Sequence, residues 1–179
     1  MKRFKSFLLT EMPQLMFDTL YRGRVGDEAR LDNHIGEKDR KISSLKNYTI
    51  HSDSPKKNIG NATIYAKHKD TGKVHMHVDL CNGHACSLHA HKDSEIKAHE
   101  FYHHLVTHHG IKLKSDTNQS VGAMKTWKKL SEYPDVKVTH QKFDSTFIDS
   151  KTKSKTLPLK KDFKKNYGDS STYFKAVKK

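Results

Sequence analysis

Two short runs, residues 62–69 and 73–80, alternate apolar with polar side chains on either side of Asp70-Thr71-Gly72. In the first run Thr63, Tyr65 and Lys67 alternate with Ile64, Ala66 and His68. In the second, Val74, Met76 and Val78 alternate with His75, His77 and Asp79. A period of two marks a strand with one buried face. A connection holding a glycine able to take positive φ makes the pair a hairpin. The pattern therefore predicts Val74, Met76 and Val78 inside and the histidines on the opposite face. Residues 85–91 read as a third strand, with Cys86, Leu88 and Ala90 on one face and His89 and His91 on the other. Residues 48–51 read as an earlier strand and 52–60 as a loop.

Beyond His91 the period lengthens to that of a helix. Ile96, Phe101, Leu105 and Val106 form an apolar stripe that Asp93 or Ser94 can cap and Gly110 can end. Residues 111–114 form a short strand, and a second helix over about 120–132 turns Ala123, Met124, Trp127 and Leu130 inward before Pro134. Residues 136–140 add another strand. Within residues 1–20, Phe4, Phe7, Leu8 and Glu11 share helical spacing, with Lys2, Arg3 and Lys5 elsewhere, giving an amphipathic leader helix that Pro13 interrupts. Residues 21–46 are polar with little periodicity, and a short strand is expected near 29–35. The expected fold is α/β (α+β), a mixed sheet of about six strands with two main helices in a domain over 21–150. A lysine-rich tail over 151–179 follows, in which residues 172–177 can add an edge strand.

Composition adds a partner class. Only 34% of the 179 residues are hydrophobic, so the core is modest. The formal charge of +14 points to an acidic macromolecule, nucleic acid or protein, held by electrostatics. Lys56, Lys57, Lys125, Lys128, Lys129, Lys160, Lys161, Lys164 and Lys165 are the candidate contacts. Cys81 and Cys86 lack the second pair a structural zinc site needs and read as buried free thiols. No apolar run reaches the ~18 residues of a membrane span. The N-terminus lacks a secretory pattern, and a reducing cytoplasm is expected.

His99-Glu100-Phe101-Tyr102-His103 is formally H-E-x-x-H. On a helix the two imidazoles share a face and can hold zinc while the glutamate activates water. The zinc-hydrolase alternative therefore assigns His99 and His103 as metal ligands, Glu132 as the third ligand and Glu100 as the catalytic base. The segment is histidine-rich, with His104, His108 and His109 following, so the spacing carries little information here.

The order hairpin, strand, capped helix, strand, second helix ending in Trp127-Lys128-Lys129-Leu130, strand resembles the later half of the GNAT acetyltransferase fold, over about residues 60–143. That resemblance implies acetyl-CoA, with its pyrophosphate cradled by backbone amides at the start of the first helix. With Tyr102 taken as the tyrosine common in that helix, the cradle falls on residues 93–98, and the cofactor-binding amides of the acetyltransferase alternative are those of Glu95, Ile96, Lys97 and Ala98. Glycine lets a backbone approach phosphates closely, and these positions contain none. Asp93 and Glu95 put negative charge where phosphate oxygens would lie. Trp127 stands where the family often carries a tyrosine general acid, and an indole cannot deliver that proton.

Ser115, Asp116, Gln119, Ser120, Gly122 and Trp127 also match an SD-x-x-QS-x-G-x-x-x-W pattern of GNAT-like proteins from large tailed bacteriophages. The segment MKRFKSFLLTE is similar to the leader of internal head proteins of T-even-type phages. That likeness implies cleavage after Leu9-Thr10-Glu11, between Glu11 and Met12. Together these resemblances imply a phage-encoded accessory protein that keeps the scaffold for binding and carries no cofactor. Its implied place is the host cytoplasm or the virion, as an internal virion protein or an inhibitor of host defence, with DNA or a host or phage protein as partner.

Overall fold

The computed structural model describes residues 39–54, 59–116, 119–143, 154–159 and 172–179. These residues form an α+β fold with one mixed nine-stranded sheet and two helices. In chain order the elements are β1 (Arg40–Leu45), β2 (Tyr48–Ser52), β3 (Thr63–His68), β4 (Val74–Cys81), β5 (His84–Ala90), α1 (Ala98–His109), β6 (Leu113–Ser115), α2 (Val121–Ser131), β7 (Val136–Phe143), β8 (Ser154–Leu157) and β9 (Thr172–Lys178). Their order across the sheet is β1-β2-β3-β4-β5-β6-β9-β7-β8. All neighbours are antiparallel except β5 and β6. That parallel junction holds just His84 opposite Lys114 and Ala85 opposite Ser115, so β5 runs on to Ala90 past its last partner in β6.

The core lies between the sheet and its helices. Tyr48, Ile50, Ile64, Ala66, Met76 and Val78 come from the first strands, Ile96, Phe101, Leu105 and Val106 from α1 and its approach, and Trp127 and Leu130 from α2. Val136, Val138, Phe174 and Ala176 complete it. Burial of each large apolar side chain contributes roughly 1.5–3 kcal/mol, so these positions supply most of the driving force. The apolar stripes expected on both helices are the faces that pack.

The Asp70-Thr71-Gly72 hairpin forms as expected, with Gly72 at φ 70° and its N–H donating to the His68 carbonyl. The faces of β4 are a different matter. Ala66 pairs with Met76 but Lys67 pairs with Val74, so His75 is an extra residue in a bulge. Val74 consequently leaves the main core and packs with Tyr65 on the far face, while His75 approaches core Tyr48. Both His75 (9% exposed) and His77 (8% exposed) are buried, against the expectation of an outward histidine face.

Three strands exceed the expected six. β1 and β8 are the two edges of the sheet, and their sequences RKISSL and SKTL alternate too weakly to announce themselves. Edge strands in general carry charge and little apolar surface. The third is β9, expected at an edge and found inside, hydrogen-bonded to β6 on one side and β7 on the other. Phe174 and Ala176 pack into the core, which draws the strand inward. Among the described residues no helix is long and apolar enough to cross a membrane. The leader helix, the Glu11–Met12 site, the strand near 29–35 and Lys56, Lys57, Lys160, Lys161, Lys164 and Lys165 lie outside the described residues.

Candidate functional site

The start of α1 is where the expected chemistries meet. The helix begins at Ala98 with Lys97 as its N-cap, later than the expected cap at Asp93 or Ser94. Those residues are spent locally: the Asp93 N–H donates to His91 Nδ1, and the Ser94 hydroxyl donates to the Ile96 carbonyl. Glu100 takes over the capping, its Oε2 accepting from the Lys97 N–H at 2.8 Å, one half of a capping box. Its Oε1 accepts from Lys46 Nζ at 2.7 Å. Burial would raise the Glu100 carboxyl, but these two partners outweigh it and hold it below the usual glutamate value.

Two amides of the expected anion cradle thus have partners within the chain. Lys97 N–H goes to Glu100, and Glu95 N–H donates to the Tyr48 hydroxyl at 3.1 Å. Ile96 is buried in the core, and Ala98 is the first helical residue. Asp93 and Glu95 are exposed, and Glu95 Oε2 accepts from Asn47 Nδ2.

The three residues of the zinc alternative do not converge. His103 Nε2 sits 2.8 and 3.0 Å from the two Asp135 oxygens, with its ring stacked 4.0 Å from Tyr133. Glu132 accepts from Lys129 Nζ at 2.9 Å, which lowers its carboxyl. His99 leans toward Tyr133, with ring centroids 6.2 Å apart, and burial depresses its imidazole. Among the described residues no group of three or more histidine, cysteine, aspartate or glutamate side chains is arranged to hold a metal ion.

The SD-x-x-QS-x-G-x-x-x-W residues build the entry to α2. The Ser120 hydroxyl caps the helix by accepting from the Ala123 N–H at 3.1 Å. Ser115 Oγ donates to the Asp116 carbonyl and accepts from Gln119 Nε2 and from the Phe174 N–H, joining β6, the α2 entry and β9 in one buried knot. Trp127, 2% exposed, lies between Tyr102 (5.8 Å) and Phe174 (6.0 Å). Gly122 is exposed, and a Cβ there would meet ordinary contacts. The outward face of α2 carries Lys125, Lys128 and Lys129.

Strand pairing brings together residues that no sequence motif linked. His51, Tyr65, His77 and His89 stand directly opposite one another across β2 to β5. His51 stacks on Tyr65 at 5.4 Å, and the rings of His77 and His89 are 4.7 Å apart. In the next row Asp79 accepts from the Thr63 and Ser87 hydroxyls. Burial would raise its carboxyl, yet those hydroxyls together with His77 and His89 hold it low. On the helix side, Ser43 Oγ of β1 lies 2.8 Å from Nε2 of both His104 and His109, tying the edge strand to α1. The alternation of these segments was visible in the sequence, but the register that aligns them was not.

Comparisons with protein-family models, with curated proteins and with solved structures found no match.

Proposed function

We propose that this chain is a phage-encoded accessory protein, a GNAT-like scaffold without catalysis that acts by binding an acidic macromolecule. One observation carries the reading: two of the backbone amides at the mouth of α1, those of Glu95 and Lys97, are engaged by the protein's own side chains. A diphosphate there would have to displace Glu100 from the Lys97 N–H and Tyr48 from the Glu95 N–H. It would also lie beside the carboxylates of Asp93 and Glu95, at a helix start that otherwise favours anions. These residues do not fit the pyrophosphate of acetyl-CoA. The element order from β3 to β7 supports the scaffold half of the reading, since it is the order the resemblance implies. Trp127, buried between two aromatic rings, serves packing and cannot serve proton transfer.

The binding half rests on charge. Lys125, Lys128 and Lys129 project from one turn-and-a-half of α2, with Glu132 at the helix end ion-paired to Lys129 and close to Lys128. A stripe of this kind suits a phosphate backbone, with each neutralised phosphate releasing counterions. DNA packaged in a virion or an acidic host-defence protein would both present such a surface.

Two measurements test the proposal. Acetyl-CoA at saturating concentration is expected to leave the melting temperature unchanged, whereas a ligand at about 100 times its Kd would stabilise by about 2.7 kcal/mol. Fluorescence anisotropy with a DNA duplex should show affinity falling linearly in log–log form with salt. The triple variant Lys125→Glu, Lys128→Glu, Lys129→Glu should lower that slope. A melting shift with acetyl-CoA would overturn the first half of the reading. A salt-insensitive duplex affinity, or one the variant leaves alone, would overturn DNA as the partner.

A further inference from the structure

The β4–β5 hairpin closes through Asn82 (φ 53°) and Gly83 (φ 78°), both in the left-handed region that a type I′ turn requires. This turn is anchored from outside the hairpin. Gly83 N–H donates to the Gly60 carbonyl at 2.8 Å, and Lys114 N–H of β6 donates to the Gly83 carbonyl at 2.7 Å. The turn therefore braces the parallel β5–β6 junction. Cys81 and Cys86 stand on either side of it.

Their register places the two thiols together. Cys81 pairs with His84, so those residues share a face, and Cys86 lies two residues beyond His84 on that same face. Leu80 pairs with Ala85 and Asp79 with Ser87, which makes Cys86 the extra residue of a bulge beside Cys81. Both cysteines are exposed, which corrects the expectation of buried thiols. Cys81 is close enough to add to the burial that raises the Cys86 thiol.

We propose that Cys81 and Cys86 are a reversible dithiol–disulfide pair, closed and opened by exchange with small disulfides and thiols of the glutathione class. The step balances without a further reagent. The Cys81 thiolate attacks one sulfur of the small disulfide, forming a mixed disulfide and expelling one small thiolate. The Cys86 thiol then loses its proton to that thiolate, and its sulfur attacks Cys81 sulfur, expelling the second small thiol. Two electrons pass from the protein to the small disulfide, and two protons leave with them. Cys81 acts first because burial, and then the Cys81 sulfur itself, push the Cys86 thiol up to about 11, and the thiolate is the nucleophile. Closure would lock the hairpin that steadies the β5–β6 junction.

The test uses the full chain equilibrated in glutathione buffers from reducing to oxidising, alkylated, digested and analysed by mass spectrometry. The expected oxidised product is a single chain whose peptide spanning both cysteines carries no alkyl group and lacks two hydrogens. Cys86→Ser should trap one glutathione on Cys81, while Cys81→Ser should react several-fold more slowly. Glutathione on both cysteines of one chain, chains joined to one another, or both thiols still alkylated under oxidising conditions would overturn the proposal. Equal trapping in the two variants would overturn the order of attack. Far-UV circular dichroism of both variants checks that these exposed substitutions leave the fold in place.

Discussion

Histidine behaves in two ways in this protein, and position alone separates them. His104 is 3% exposed on α1, held between Ser43 and the rings of His108 and His109. Burial, then the neighbouring histidines, pull its pKa down to about 4 from 6.5. His75, His99 and His109 are lowered in the same direction. A histidine whose folded value is depressed binds its proton in the unfolded chain first. Stability from His104 is thus complete above about pH 6.5 and declines as pH falls toward 4, by up to about 1.4 kcal/mol per pH unit. Urea unfolding at pH 7 and pH 5 should show that decline, and His104→Gln, which cannot titrate, should shallow it. A pH-independent midpoint over this range would contradict the burial described for His104. The sequence offered two of the five α1 histidines, His99 and His103, as candidate ligands. The fold instead gave His103 to Asp135 and His104 to Ser43.

Among the elements, hairpins and the C-terminal ends of helices were the most legible because their signals are local. Asp70-Thr71-Gly72 and Gly110 each announce a backbone that needs positive φ, and both adopt it. Bulges were not legible, since they arise between strands: one extra residue at His75 moved Val74 off the core, and another at Cys86 set it beside Cys81. Gly83 and Gly110 have similar φ values but different surroundings. A Cβ on Gly83 would lie 2.9 Å from the Lys112 carbonyl oxygen, whereas one on Gly110 meets nothing within 4 Å. Gly110→Ala is expected to cost about 1 kcal/mol, the conformational penalty alone. Gly83→Ala adds a backbone clash and should cost clearly more, roughly 2–4 kcal/mol. Paired chemical denaturation of the two variants checks the ranking, and equal losses would mean that the turn does not brace β6 as described.

For the whole molecule the decisive feature is the placement of β9. A lysine-rich segment would ordinarily be trimmed without harm, but residues 172–178 join β6 to β7 and bring Phe174 against Trp127. Deleting residues 172–179 should therefore abolish cooperative unfolding, because it divides the sheet and exposes Leu113 and Val138. A truncated chain that still melts as one unit would refute this arrangement. The sequence by itself determined the local elements from β2 to β7, the apolar faces of both helices, the excess of positive charge and the lack of glycine before α1. These are set by side-chain periodicity and backbone chemistry within a few residues. Only the tertiary structure decided which strands lie inside the sheet, which histidines are buried, that two cysteines are cross-strand neighbours, and that Tyr48 and Glu100 engage two amides before α1. Each of those depends on register between segments distant in the chain, which is fixed by packing the whole core at once.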